Sequence, residues 1–175
     1  MSKIKIDHIL FDMDGVMCNF VDYVQGKIQV PVEQFFNTSE MDQFMHTHTR
    51  HYNLFEQLDP LEDFAVMRAL FKRFHCFTDH VDVSVCTMTA GSHTHAAHQK
   101  TNWLLEHGMT DLEGFLPNLK FTTSQKGKSV YANSRTLLID DSHGCCTPFI
   151  AAGGHAIQHK DAFSTIKTLY AKYEF

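Results

Sequence analysis

The chain has 175 residues, with 15 Lys and Arg against 20 Asp and Glu and a formal charge of −5. That length suits one compact domain, and the acidic balance excludes nucleic-acid or anionic-membrane binding driven by bulk charge while leaving room for a small phosphorylated ligand. Leu, Ile, Val and Phe make up 46 of the 175 residues, enough to bury a real core.

In chain order, Met1 to Asp7 is interrupted by charges, and no apolar run approaches the ~18 residues of a membrane span. Cys18, Cys76, Cys86, Cys145 and Cys146 are odd in number and lack CxxC spacing. Together these features predict a cytoplasmic protein with no leader, no membrane partner and no disulfide framework.

The first β-prone run is about Ile6 to Phe11, apolar on both sides as a buried parallel strand is. It ends in Asp12-Met13-Asp14-Gly15-Val16, two carboxylates two residues apart and then a glycine that lets the chain turn. Ligands of open parallel sheets bind at that edge, although a solvated loop is the plain alternative. From Val16 to about Leu58 no strand is predicted, only helix-like pieces such as Ser39-Glu40-Met41-Asp42, which reads as a capping box. This insertion carries Phe20, Tyr23, Phe35, Phe36, Phe44, Tyr52 and Phe55, aromatic enough to pack on the core or to line a pocket.

Asp59-Pro60 predicts a helix N-terminus, with Phe64, Met67, Leu70, Phe71 and Phe74 as its buried stripe. The next strand, about Val81 to Thr87, leads through Met88, Thr89, Ala90 and Gly91 into a helix from Ser92 to near Gly108. A hydroxyl at a strand end facing a helix N-terminus suits an anion, though such a threonine is also an ordinary cap. A strand from Leu119 to Thr122 follows, then Lys126, Lys128 and a short helix near Ser129 to Ala132.

Thr136 to Asp140 reads as a buried strand stopping at the paired acids Asp140-Asp141, which are costly together without a cation, hydrogen bonds or water. His155 to Gln158 is the last strand of the set, and Phe163, Ile166, Leu169, Tyr170 and Tyr173 mark a terminal amphipathic helix. Strand and helix alternate, so the predicted fold is α/β, a doubly wound, Rossmann-like parallel sheet of five strands. Asp12 and Asp140 on neighbouring strands would offer hard oxygen ligands to Mg²⁺.

These elements, in this order and over nearly the whole chain, resemble the four motifs of the haloacid dehalogenase superfamily. The resemblance implies a core of residues 1–15 and 59–175 with 16–58 as a helical cap. It also implies that Asp12 is the nucleophile, Asp14 the general acid/base, Thr87 and Lys128 the phosphate binders, and Asp140 and Asp141 the metal-side acids of a Mg²⁺ site shared with Asp12 and Asp14. Asp14 points to phosphoryl transfer, since dehalogenating members lack an acid there. Lys126 is the rival for the lysine role.

A narrower resemblance, to the 5'(3')-deoxyribonucleotidases and their phage and bacterial relatives, rests on four segments. They are Asp12-Met13-Asp14-Gly15-Val16 with Phe20, Phe55-Glu56-Gln57-Leu58-Asp59-Pro60-Leu61, Val85-Cys86-Thr87, and Leu138-Ile139-Asp140-Asp141. It implies a nucleoside monophosphate substrate, with Phe20 toward the base and Thr87, Met88 and Lys128 around the phosphate. Met88 departs from the pattern, which has a second small hydroxyl residue there. A polynucleotide 3'-phosphatase or a sugar phosphatase would use the same core.

Histidines offer a rival. His46-Thr47-His48-Thr49-Arg50-His51 and His93-Thr94-His95-Ala96-Ala97-His98 share the H-x-H-x-x-H spacing of dinuclear zinc hydrolases. Each has Arg50 or Ala97 where those enzymes carry an acid.

Overall fold

The computed structural model describes residues 3–36, 38–89 and 93–175, and of His93 the backbone alone. A short first strand, β1 (Ile4–Lys5), is followed by β2 (His8–Phe11), and β1 pairs in parallel with the terminal β7 (Tyr173–Glu174). Sequence reading missed this pair, because two-residue strands carry no periodicity. The main sheet adds β3 (Asp82–Met88), β4 (Asn118–Thr122), β5 (Thr136–Asp140) and β6 (His155–Gln158). Its order is β4-β3-β2-β5-β6 and every pairing is parallel, as predicted.

The register sets Ile9 beside Val83 and Leu137, and Phe11 beside Val85 and Ile139. Those side chains fill the main core on one face of the sheet. The alternate residues Leu10 and Leu138, with Cys86, pack with Cys145 and Phe149 on the other. Helices therefore cover both faces, which is why the central strands are apolar throughout.

The helices are α1 (Phe20–Gln25), α2 (Val32–Phe35), α3 (Ser39–His51), α4 (Phe64–Phe77), α5 (His93–Glu106), α6 (His143–Ala151) and α7 (Ala162–Lys172). Two 3-10 segments, Leu54–Gln57 and Gln125–Tyr131, complete the chain. All five residues of the predicted α4 stripe are buried. Gly108, in the left-handed region at φ 68°, follows the end of α5 as a natural stop. The predicted start of that helix at Ser92 lies outside the described residues.

Four local expectations are corrected. Asp59-Pro60 does not start α4, which begins at Phe64. The Asp59 carbonyl instead accepts from Asn19 N, and Leu61 N donates to Met17 O, so tertiary pairing with the 13–19 loop holds this stretch extended. Thr38, not Ser39, caps α3, its hydroxyl accepting from Met41 N at 3.1 Å. The helix expected near Ser129 to Ala132 is the tail of the 3-10 segment. On α7 the buried face is Ala162, Thr165 and Leu169; Phe163 is 78% exposed and Tyr173 belongs to β7.

Residues 16–58 carry α1 to α3 and the first 3-10 segment. They bury Met45, Leu54, Phe55 and Leu58 in the main core. Gln99 Nε2 donates to Thr49 O at 2.5 Å and Trp103 Nε1 to Leu58 O at 2.8 Å, tying this segment to α5. Among the described residues, no helix is long and apolar enough to cross a membrane.

Candidate active site

β2 and β5 end side by side, and Asp12 N continues the ladder by donating to Ile139 O at 2.9 Å. This puts the Asp12 and Asp140 carboxylates next to each other in the interior, 6% and 0% exposed. Lys128 reaches both from the second 3-10 segment, with Nζ 2.8 Å from Asp12 Oδ2 and 2.6 Å from Asp140 Oδ2. Ser124 starts that segment by accepting from Gly127 N. Lys126, two residues earlier, is exposed.

Unpaired ions so placed would each cost several kcal/mol. The geometry offsets that cost: Asp12 Oδ1 also accepts from Met13 N at 2.8 Å, and Asp140 Oδ1 from Ser142 N at 2.9 Å. Burial works to lower the Lys128 pKa, but the Asp12 and Asp140 carboxylates overcome it and hold the ammonium well above the usual lysine range. Burial and the Asp12 charge push the Asp140 carboxyl up to about 6, against Lys128.

Asp141 leaves the strand with its side chain partly in solvent. Enclosure of its carboxyl, then the Asp12, Asp140 and Asp14 charges, push it up to about 7. Asp12, Asp140 and Asp141 each bring one oxygen to within 4.8 Å of the others. Gly15, at φ 74°, lies so close that a Cβ there would stand 2.3 Å from Asp141 Oδ2. The turn after Asp14 thus needs glycine both for its backbone and for the passage of Asp141.

Asp14, expected among the metal acids, is not one of the three whose oxygens come within 4.8 Å of one another. The loop winds about the Met13 carbonyl, which accepts from Val16, Met17 and Cys18 N. Asp14 Oδ2 then takes a 2.5 Å hydrogen bond from Lys100 Nζ, and Oδ1 faces Cys18 Sγ at 3.6 Å. Burial raises the Asp14 carboxyl above its ordinary range, against the pull of Lys100.

Thr87, at the end of β3 and 1% exposed, accepts from the same ammonium at 2.7 Å. Lys100 Nζ also lies 4.3 Å from the centroid of the Phe55 ring. Sequence reading missed Lys100. The signal was its place on the apolar stripe of α5, four residues after Ala96 and three before Trp103, both fully buried.

Phe20 lies at the start of α1, its ring near-parallel to Phe36 (centroids 6.5 Å apart) and to Phe55 (6.3 Å). Met88 ends β3, half-buried beside Thr122. In the first histidine run, His46 and His51 are exposed, while His48 stacks on Phe44 at 3.9 Å. In the second, His95 and His98 are exposed on α5. Among the described residues, the group spaced to hold a metal ion is the three aspartates.

No family model and no curated protein matches the sequence. Solved structures do match. A HAD-superfamily hydrolase from Ehrlichia chaffeensis is 9% identical, covering 95% of this chain and 97% of its own, with a TM-score of 0.53. The chain has the fold of the HAD-like hydrolases. A HAD-family enzyme from Bacteroides thetaiotaomicron, in complex with magnesium and inorganic phosphate, is 11% identical over 89% of this chain and 94% of its own, with a TM-score of 0.51. The L-2-haloacid dehalogenase of Xanthobacter autotrophicus is 10% identical over 86% and 76%, with a TM-score of 0.52, so this HAD-like fold also carries a second chemistry.

Proposed function

We propose that this chain is a Mg²⁺-dependent phosphomonoester hydrolase working through an aspartyl-phosphate on Asp12, with a nucleoside monophosphate as substrate. The observation that carries the reading is the convergence on one sheet edge of two linked clusters. A nucleophilic carboxylate is paired with a buried ammonium, and beside it a second carboxylate and a hydroxyl share another. The magnesium and phosphate in the Bacteroides enzyme support the cofactor and the ligand class.

The donor set fits Mg²⁺: Asp12, Asp140 and Asp141 are hard oxygen ligands, which would hold it with water and a phosphoryl oxygen. When bound, it supplies charge neutralisation at the phosphoryl group.

Asp12 attacks phosphorus in line while Lys128, 2.8 Å from it, offsets charge on the transferring group. Thr87 donates its hydroxyl hydrogen to a phosphoryl oxygen. Asp14 gives a proton to the leaving oxygen and then takes one from the water that hydrolyses the intermediate. Its raised pKa favours the protonated form that the first of these roles needs.

Residues 16–58 serve as the cap. Support comes from Phe55, which this segment places on the Lys100 ammonium, and from Phe20 stacked beside it as a platform for the base. The test is phosphate release, with and without Mg²⁺, from deoxy- and ribonucleoside 5'- and 3'-monophosphates, sugar phosphates and a 3'-phosphorylated oligonucleotide. Fastest release from a nucleoside monophosphate is expected. Release by zinc alone, or from no phosphomonoester, overturns the reading.

A further inference from the structure

We propose that Lys100 is a positioning residue, one that sets the acid/base carboxylate of Asp14 and the phosphoryl-holding hydroxyl of Thr87 as a single unit. The inference rests on the phosphatase reading above and goes beyond it, since no motif that suggested that reading includes Lys100.

An ammonium has three hydrogens to donate and nothing with which to accept. Two go to Asp14 Oδ2 and Thr87 Oγ1, and the negative face of the Phe55 ring takes up the remaining charge. The side chain is 0% exposed. Thus enclosed, Lys100 acts on substrate through its two partners.

The partners gain different things. Asp14 sits on a tight loop where, among the described residues, its other side-chain hydrogen bond is from Cys18 Sγ, a weak donor, so Lys100 is the strong tether that fixes its carboxylate from 86 residues away. Thr87 has one hydroxyl hydrogen, and the ammonium cannot take it. By accepting from Lys100, the hydroxyl is committed to donating elsewhere, which is the role required beside a phosphoryl oxygen. Burying an ammonium between Ala96 and Trp103 is costly without such partners, a cost that the neutral amide of the neighbouring Gln99, bonded to backbone, does not carry.

The test is a kinetic cycle with Lys100→Met alone and in an Asp14→Asn/Thr87→Val background, on a nucleoside monophosphate. Lys100→Met is expected to lower kcat by about 10²-fold, the loss typical of a misplaced catalytic group, and to cost less than about threefold in the double-substituted background. A full loss in that background, or a kcat within about threefold of the unsubstituted enzyme, overturns the proposal. Lys100→Gln, which keeps a neutral donor, carries the same cycle if Lys100→Met does not fold.

A crystal structure of either variant reads the positioning without turnover. Displacement of the Asp14 carboxylate from Thr87 by about 1 Å or more is expected. An unmoved carboxylate overturns the role of Lys100 while leaving the phosphatase reading standing. Failure of the unsubstituted enzyme to release phosphate, with the carboxylate displaced in the variant, instead overturns the phosphatase reading.

Discussion

Lys128 and Lys100 are both buried ammoniums at the same sheet edge, and their partners differ in kind. Lys128 lies between two carboxylates that are themselves buried, so it holds together charges that would otherwise repel. Lys100 joins a carboxylate that is a quarter exposed to a neutral hydroxyl and an aromatic ring. The first lysine is therefore chiefly a matter of charge balance, and the second of geometry. Stability and turnover should separate them.

The largest effect is expected from Lys128→Met. Breaking a buried pair costs about 3–5 kcal/mol, and here two carboxylates lose their counter-ion, so Tm should fall by roughly 6–20 °C with phosphate release abolished. Lys100→Met should cost less in Tm, because solvent still reaches Asp14. Calorimetry on the two variants decides it, and an equal or larger drop for Lys100→Met would reverse the comparison.

Next in size are the acids that the two lysines hold. Asp12→Asn removes the proposed nucleophile and should stop turnover of every substrate. Asp14→Asn should lower kcat by roughly 10²–10⁴-fold on an alkyl phosphate and much less on an activated aryl phosphate, whose leaving oxygen needs no proton. Equal losses on both substrates would remove Asp14 from the acid role.

Phe20 tests how far the aromatic stack beyond Lys100 extends to the substrate. Stacking on a base is worth about 1–3 kcal/mol, so Phe20→Ala should weaken nucleotide binding by roughly tenfold to a hundredfold and spare a small aryl phosphate. Impaired handling of both, with a lowered Tm, would assign the ring to packing against Phe36 and Phe55.

The smallest effect concerns Asp141, which has no lysine. In the folded chain its carboxyl, pushed up to about 7, keeps a proton that the unfolded chain releases from about pH 4 upward. Folded-state stability is thus lost as pH rises between those values. Asp141→Asn should stabilise the metal-free protein at pH 8 and not at pH 4. Solvent screening keeps the gain to about 1 kcal/mol, a Tm rise of roughly 2–4 °C. A Tm unchanged at pH 8 would show that the repulsion is already relieved.

The difference between the two lysines also separates what was legible in the chain from what was not. Apolar runs ending at Asp were enough for the central strands β2 and β5, because a strand buried on both faces leaves that pattern whatever surrounds it. Asp12 and Asp140 at strand ends were legible for the same local reason, whereas Lys128 was set ahead of Lys126 by the family resemblance alone, and the structure buries the first and exposes the second. Asp59-Pro60 misled because good capping chemistry lost to hydrogen bonds in which Asn19 N donates to Asp59 O and Leu61 N to Met17 O, partners that exist only once the chain has folded back. Phe163 misled because it shares the spacing of Ile166 and Leu169, which do pack on the core, yet turns out to solvent at the start of α7. Lys100 stayed unread because its meaning lies in Asp14, 86 residues away, and in Phe55 and Thr87 on two other segments. Periodicity and strand-end chemistry are properties of neighbouring residues, whereas the environment of a buried charge is assembled from distant ones, and only the packed chain brings those together.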